Sequence, residues 1–567
     1  MAGRPLVNAS LALGYAVHGL DPRGYHAANL AIHLGCGLLL FGLLRRSLGG
    51  RGSPPELRER APALALAGAA IWLVHPLASE CVAYATQRSE SIMAAFYLIT
   101  LLGVERVATA ATRRERRAFA AAAVAACALG MASKEVMATA PLVALLYDRS
   151  FHAGSFREAL RRRGGLHAGL AATWLLLAAL QASGTRPLSA GLDLGVRPDT
   201  YLANQALLLP RYLGLAVWPD PLVLDYGWPR PLALRDVAGH LVFCLALVAG
   251  AAWCAWCRPR AGFPLAAGLL VLAPTTSLLP IVTEVGAERR MYLPLAGLVS
   301  LAVAGGWWLL ARSGLPPRRA AFAGGALALA VAAALAGATR ARVAEYRDPE
   351  ILWRGAVEAA PDNPRALVNL GEVLHARGRS AEAERLFRAA LALHPPYARA
   401  QAQLGRLALE RGDPAAAEAH LRRALELDPR HSDIRTNLGE LLARRGATRE
   451  AMAQWREALE RDPGLAYAAN NLAWVLATDP DPELRDPAEA LRLARQSADE
   501  SAGSEPEILD TLAAAYASAG RWEEALVAAR RALAEARERG DAALAAGIGA
   551  RIEGYRRREP ARSAPAP

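Results

Sequence analysis

Four short runs of this 567-residue chain set cations beside carboxylates at the edges of long apolar stretches. They are His75 with Glu80, Arg88 with Glu90, Lys134 with Glu135, and the run Glu284, Glu288, Arg289, Arg290 and Tyr292. Guanidinium and ammonium groups suit an anionic head group, because Arg grips phosphate in a bidentate fork and Lys acts as a compact point charge. A carboxylate beside them can orient or deprotonate an acceptor hydroxyl. The plainer alternative is a set of ion pairs that close helix ends. Lys134 stands apart: it is the one lysine among 65 basic residues, the others all being Arg. So strong a bias points to a GC-rich bacterial genome. The retained lysine then marks either a role that Arg cannot fill or chance survival.

Other polar residues carry less. His26 and His33 share a helix face with His18 nearby, but no cysteine or carboxylate stands at ligand spacing, so no metal is expected. All six cysteines precede residue 258, and Cys254 and Cys257 end an apolar run, where they read as small hydrophobes instead of a redox pair. No cofactor is expected.

The elements that must position these residues are apolar helices. Hydrophobic residues make up 53% of the chain, concentrated between residues 27 and 340. Eleven apolar segments lie near 27–44, 61–75, 90–111, 117–131, 134–147, 166–182, 204–218, 239–257, 262–281, 291–311 and 320–339. A membrane crossing needs about 20 residues, so several of them must extend into their flanks. The net charge of +12 comes largely from arginines in the short loops 45–60, 113–117, 149–165, 258–260 and 312–319. That distribution follows the positive-inside rule and argues against a nucleic-acid partner. These five loops alternate correctly only if one segment does not cross. Segment 204–218, with Pro210 and Arg211 inside it, is the expected interfacial or re-entrant helix. Ten crossings remain, with Met1 and the C-terminal part outside. External loops are then expected at 76–89, 183–237 and 282–290, and the four charged runs share that face. Charge near a span is functional by default. No cleavable signal is expected at the start.

After residue 361 the chain repeats every 34 residues. Pro361, Pro395, Pro429 and Pro463 keep the step, as do Gly371, Gly405 and Gly439, and Ala390, Ala424 and Ala458. A small residue at a close helix crossing and proline at the helix end are the tetratricopeptide (TPR) signature. The expected fold is all-α: a polytopic membrane domain over 1–343 and a TPR superhelix over 344–540. Its repeats fall near 364–397, 398–431, 432–465, 466–504 and 505–537. A helix end and disordered tail are expected over 541–567. The groove of such a superhelix holds a protein or peptide partner.

The ordered motifs resemble the transmembrane-and-TPR family of O-mannosyltransferase-like proteins. They are Arg4-Pro5-Leu6, Gly24-Tyr25-His26 with Asn29 and His33, His75-Pro76, Glu80, and Gln87-Arg88-Ser89-Glu90. Ser133-Lys134-Glu135, Leu146-Tyr147-Asp148, Pro274-Thr275-Thr276-Ser277-Leu278-Leu279-Pro280 and Glu288-Arg289-Arg290-Met291-Tyr292-Leu293-Pro294 complete the set. The family is similar to GT-C glycosyltransferases, which take a sugar from a polyprenyl-phosphate carrier. The resemblance implies transfer, with mannose the expected sugar, to protein Ser or Thr hydroxyls at the periplasmic face of a bacterial inner membrane. Arg88, Lys134, Arg289 and Arg290 would hold the carrier phosphate. His75, Glu80, Glu90, Glu135, Glu288 and Tyr292 would support them or bind sugar, and the lipid-linked donor is a co-substrate. The catalytic acid of the family lies in a loop that precedes the first matching motif, and Asp21 is not that acid. Catalysis is therefore expected to depend on such a loop. A membrane-anchored TPR scaffold without activity is the first alternative, and a ligase or polymerase of lipid-linked glycans the second.

Overall fold

The computed structural model describes residues 4–183, 196–276, 280–281, 284–501 and 505–562. The expected external placement of Met1, part of the loops 183–237 and 282–290, Ser277-Leu278-Leu279 and the end of the tail lie outside the described residues. The chain divides into two units, Met1–Ala366 and Leu367–Pro567. Among the described residues both units are built of helices, and the all-α expectation holds.

The first unit opens with α1 (Pro5–His18) and α2 (Pro22–Gly49), each started by a proline in its first turn, where the missing N–H is no loss. The short α3 (Pro55–Arg58) leads to α4 (Ala61–Leu73), and α5 (Ser79–Ala83) leads to α6 (Arg88–Thr109). Then come α7 (Arg113–Met131), α8 (Ala140–Asp148), α9 (Phe156–Ala182) and α10 (Pro198–Val217). The unit closes with α11 (Leu234–Cys257), α12 (Pro259–Thr276), α13 (Tyr292–Ala311), α14 (Pro317–Glu345) and α15 (Pro349–Ala359).

Among the described residues, six helices have the length and apolar content to cross a membrane: α2, α6, α9, α11, α13 and α14, with a leading turn on α6 and α13. A seventh appears if α4 and the following Pro76–Ala83 helix, bent by 60°, count as one span. The chain is thus built as a membrane protein. The other apolar segments fold as α7, α8, α10 and α12. Here α7 begins on Arg113, Arg114, Glu115, Arg116 and Arg117, while α10 and α12 carry Pro210, Pro264 and Pro274 inside. The segment 134–147 is divided between a 3-10 turn, Glu135–Thr139, and the nine-residue α8. At 1.5 Å per residue α8 rises about 14 Å, roughly half of a bilayer core. Ten crossings therefore require helices that are short or proline-bearing to cross as well.

The core of this unit gathers Trp72, Tyr97, Met131, Tyr147, Tyr212 and Tyr292 with many aliphatic side chains. A second small cluster joins Val223 to Ala356 and Ala366, so α15 packs on the loop after α10 and belongs to this unit.

The second unit is a row of helix pairs. They are α16 (Pro364–Ala376), which begins in the first unit, with α17 (Ser380–Leu393), α18 (Ala398–Glu410) with α19 (Pro414–Leu427), and α20 (Ser432–Arg444) with α21 (Thr448–Arg461). Next are α22 (Ala466–Thr478) with α23 (Pro487–Glu500) and α24 (Pro506–Ser518) with α25 (Trp522–Glu538), followed by α26 (Ala542–Arg556). Gly378, Gly412 and Gly446 adopt φ of 77° to 79° at the turns inside the first three pairs, a left-handed conformation that glycine takes without strain. α26 is a full helix that covers α25 with Ile548, Ile552 and Tyr555, closing the apolar end of the array.

The 34-residue step has a packing cause. A Cβ at Gly371 would stand within 3.0 Å of Phe387, at Gly405 3.0 Å from Leu421, and at Gly439 within 2.8 Å of Trp455. Trp455 is 2% exposed and donates its Nε1–H to the Thr436 carbonyl at 3.1 Å, so it has no room to retreat. Gly439→Ala is expected to destabilise the repeat unit by about 1–3 kcal/mol through overpacking. Chemical denaturation of the protein, followed by the Trp fluorescence of this unit, would show the shift, and an unchanged midpoint would refute the close-crossing explanation.

Candidate functional site at one end of the helical bundle

The charged runs singled out by their residue types meet at the α6 N-terminal end of the bundle. Glu90 sits in the first turn of α6 and pairs with the Lys134 ammonium, both nearly buried. Lys134 precedes the 3-10 turn Glu135–Thr139 and reaches Glu90 from an extended backbone conformation. Glu80, on α5, accepts from Arg289 twice, from the backbone N–H at 3.2 Å and from Nη1 at 2.7 Å. The other arm of Arg289 binds Glu284. Cys81, fully buried, feels the charges of Glu80, Glu90, Lys134 and Arg289 together, so the two ion pairs form one cluster. At low dielectric such charges persist only because they neutralise one another.

Arg88 and Arg290 are placed differently. The Arg88 Nε donates to Asn29 Oδ1 at 2.6 Å, and its two Nη atoms donate to the carbonyls of Ser10 and Tyr25 at 3.0 and 3.1 Å. The Tyr25 ring lies 5.7 Å from the same guanidinium. Arg88 therefore ties α1 and α2 to α6. Arg290 donates to the carbonyls of Thr275, Val285 and Glu284 at 3.1 to 3.2 Å, bracing the end of α12 against the loop that precedes α13.

Glu288 is buried and holds a loop. It accepts from the Val223 N–H and from the Tyr226 hydroxyl at 3.0 Å, which pins the segment after α10. Burial, reinforced by the Glu288 carboxylate, pushes the Tyr226 hydroxyl above its ordinary pKa, so it remains a donor. The same loop is fastened by Asp225, which accepts from Gly227 N–H and Arg365 at 2.7 and 3.0 Å. His75 caps the 3-10 turn Pro76–Ala78, its Nδ1 accepting from Leu77 N–H and its Nε2 donating to the Ala216 carbonyl, each at 3.2 Å. Tyr292 donates its hydroxyl to His33 Nδ1 at 2.7 Å, while His33 Nε2–H donates to the Leu73 carbonyl at 2.9 Å. Trp72 completes this aromatic group, 4.9 Å from Tyr292. Glu135 lies further out and pairs with Arg4 at 3.3 Å.

The sequence motifs did not reveal two participants. Arg342, near the end of α14, is 7% exposed, binds Glu345, and keeps Nε and one Nη buried without a partner among the described residues. Its charge acts on Glu288. A lone arginine after an apolar run carries no signal in so arginine-rich a chain. Tyr226, in the loop, has no motif around it. The motif residues Tyr147 and Asp148 lie at the opposite end of the bundle. There Tyr147 donates to Glu105 at 2.8 Å, and Asp148 is held by Arg163 and by His167 at 2.8 Å. No group of three metal-ligating side chains is present among the described residues.

The second unit has a cavity of about 390 Å3 bordered by Glu440, Asn470, Trp474, Asp510 and Arg551. Arg551 binds Asp510 at 2.6 and 2.9 Å and lies 5.5 Å from the Trp474 ring, and the Asn470 side-chain carbonyl has no partner among the described residues.

Residues 362–430, 403–466 and 507–539 match family models for the tetratricopeptide repeat. The chain is 26% identical over 475 residues to protein O-mannosyl-transferase Tmtc1 of Drosophila melanogaster, covering 67% of this chain and 53% of that one. It is 26% identical over 435 residues to protein O-mannosyl-transferase TMTC4 of Mus musculus, covering 67% and 56%. The chain thus spans little more than half the length of these relatives. Among solved structures, YrrB, a TPR protein with an unusual peptide-binding site, is 18% identical, over 35% of this chain and 97% of its own, with a TM-score of 0.27.

The roles just described separate by experiment. Arg88→Met leaves the buried Asn29 amide oxygen without its donor, at about 1–3 kcal/mol, and removes two bonds that tie helix carbonyls to α6. The detergent-solubilised protein is expected to melt at a clearly lower temperature, whereas Glu135→Gln, at the half-exposed rim, should leave the melting temperature within error. Equal melting of the wild type and Arg88→Met would refute the structural assignment of Arg88.

Proposed function

We propose that this chain, which carries tetratricopeptide repeats and is a distant homologue of the protein O-mannosyl-transferases, acts as a membrane glycosyltransferase. In this reading a sugar, mannose by analogy with the relatives' names, passes from a polyprenyl-phosphate carrier to a Ser or Thr hydroxyl of a protein. The reaction takes place at the periplasmic face of a bacterial inner membrane. The observation that carries the reading is the buried cluster in which α5, α6, the 3-10 turn after Lys134 and the Glu288–Tyr292 run bring two cations and three carboxylates together.

The acceptor oxygen attacks the anomeric carbon as the carbon–oxygen bond to phosphate breaks, and the carrier phosphate leaves with the bonding electrons. Negative charge grows on that phosphate, so cations fixed beforehand lower the barrier. Lys134 has three N–H donors and gives one to Glu90, leaving two for a phosphate oxygen. Arg289 adds its charge from a position fixed by Glu80 and Glu284, and Arg342 offers its two unpartnered nitrogens. The hydroxyl proton goes to a carboxylate, and no acid of the cluster is assigned that part because each is already bound to a cation or a loop donor. The repeat unit presents the acceptor chain, with Asn470 and Trp474 bordering the cavity where an extended peptide would lie.

One observation favours a second reading, a scaffold without transferase activity. Arg88 and Arg290 each direct three hydrogen bonds at protein carbonyl oxygens, as structural braces would.

Transfer of labelled mannose from its polyprenyl phosphate to acceptor protein, in membranes containing the full-length protein, tests both. Lys134→Ala and Arg289→Ala are each expected to lower the rate about 10²-fold. Unchanged rates in both would remove the phosphate assignment. Absence of transfer by the wild type, with partner proteins still retained on the repeats, would favour the scaffold.

A further inference from the structure

A cleft of about 660 Å3 runs through the first unit beside α2, α12 and α13. Along α13 its wall extends from Leu293 to Trp308. At 1.5 Å per residue that is about 22 Å, most of a hydrocarbon core of about 30 Å. Leucine, alanine, proline, valine, phenylalanine and glycine residues make most of the wall, so a hydrocarbon chain suits it better than a polar ligand. The volume falls within the range of about 300–1,000 Å3 typical of ligand sites.

The two ends of the cleft differ. At the end away from the ion-pair cluster the wall includes Ser47, Ser53, Arg258 and Arg260. Arg260 donates to Ser53 Oγ and to the Phe151 carbonyl, each at 3.2 Å. Its guanidinium passes over Gly52, where a Cβ would collide with it. Arg258 is exposed. The arginine-rich loops 45–60, 149–165 and 258–260 converge here, and the positive-inside rule places this end in the cytoplasmic leaflet. Basic pockets between spans on that side are suited to anionic lipid head groups.

We propose that this cleft binds one anionic phospholipid of the arginine-rich leaflet, with an acyl chain along α13 and the phosphate on Arg258 and Arg260. The ligand is a phospholipid and not the sugar carrier, because the two cations stand at the opposite end of α13 from Lys134 and Arg289. The site is independent of the transfer reaction and stands whether or not the chain is an enzyme.

Gly305 offers a clean obstruction. It lines the cleft, and nothing lies within 4 Å of where its Cβ would stand, so the backbone there has room for the added side chain of Gly305→Phe. The full chain would be extracted in mild detergent, examined by native mass spectrometry, then stripped of lipid and titrated with phosphatidylglycerol and phosphatidylcholine. The wild type is expected to retain one phosphatidylglycerol-class lipid and to prefer it over phosphatidylcholine. Arg258→Gln/Arg260→Gln should lose affinity for phosphatidylglycerol about 30-fold, from two arginines each contributing near an anionic head group. Gly305→Phe should lose binding of both lipids at unchanged melting temperature. The proposal is overturned if the wild type holds no more lipid than Gly305→Phe, if the arginine variant binds phosphatidylglycerol undiminished, or if the retained species is a polyprenyl phosphate.

Discussion

Charge inside an apolar bundle has to be answered by charge or by a carbonyl, and that requirement organises the first unit. Bringing one ammonium or guanidinium out of water is strongly unfavourable unless a partner meets it there. Lys134 meets Glu90, Arg289 meets Glu80 and Glu284, and Arg88 meets Asn29 and two carbonyls. All but the Arg289–Glu284 pair join elements far apart in the chain. The 3-10 turn after Lys134 is fixed to the start of α6, and the run before α13 is fixed to α5. The helices supply apolar surface almost without preference for one neighbour over another, so these polar contacts select the arrangement. The same pairings concentrate positive charge that an incoming anion can use, because Lys134 keeps donors beyond the one given to Glu90.

Much of this was readable in the amino-acid order, for reasons that differ between the units. In the repeat unit one small residue recurs at a fixed step, and a crossing too close for a Cβ has no other solution than glycine. Gly371, Gly405 and Gly439 therefore announced both the helices and their contacts. In the membrane unit the apolar runs marked most helices, but composition alone is blind to breaks. The segment around Lys134 reads as one apolar stretch, yet it holds a tight turn and a short helix, since Lys134 must point at Glu90 instead of continuing a span.

For the site, residue type located the charges without revealing their partners. The gathering of Glu80, Glu90, Lys134 and Arg289 at one end follows from where helices end. That Arg88 and Arg290 face carbonyls could not be read, because carbonyl positions depend on how distant loops fold back. Glu288, expected to support a cation or bind sugar, also fastens the loop through Val223 and Tyr226. Arg342 stood among many arginines, and only its buried, unpartnered nitrogens distinguish it.

The glycine crossings of the repeat unit have one more consequence. Opposite the same small residue stand three different side chains, Phe387, Leu421 and Trp455. Each hairpin is thus shaped for its own occupant, like a lock with its own key. A chain that slipped by one whole repeat during folding would press an indole where an isobutyl group belongs, or leave a void in the reverse case. Such mispairing is a characteristic hazard of arrays built from near-identical pieces. Here the unequal side chains give these three crossings distinct shapes, which disfavours such a slip.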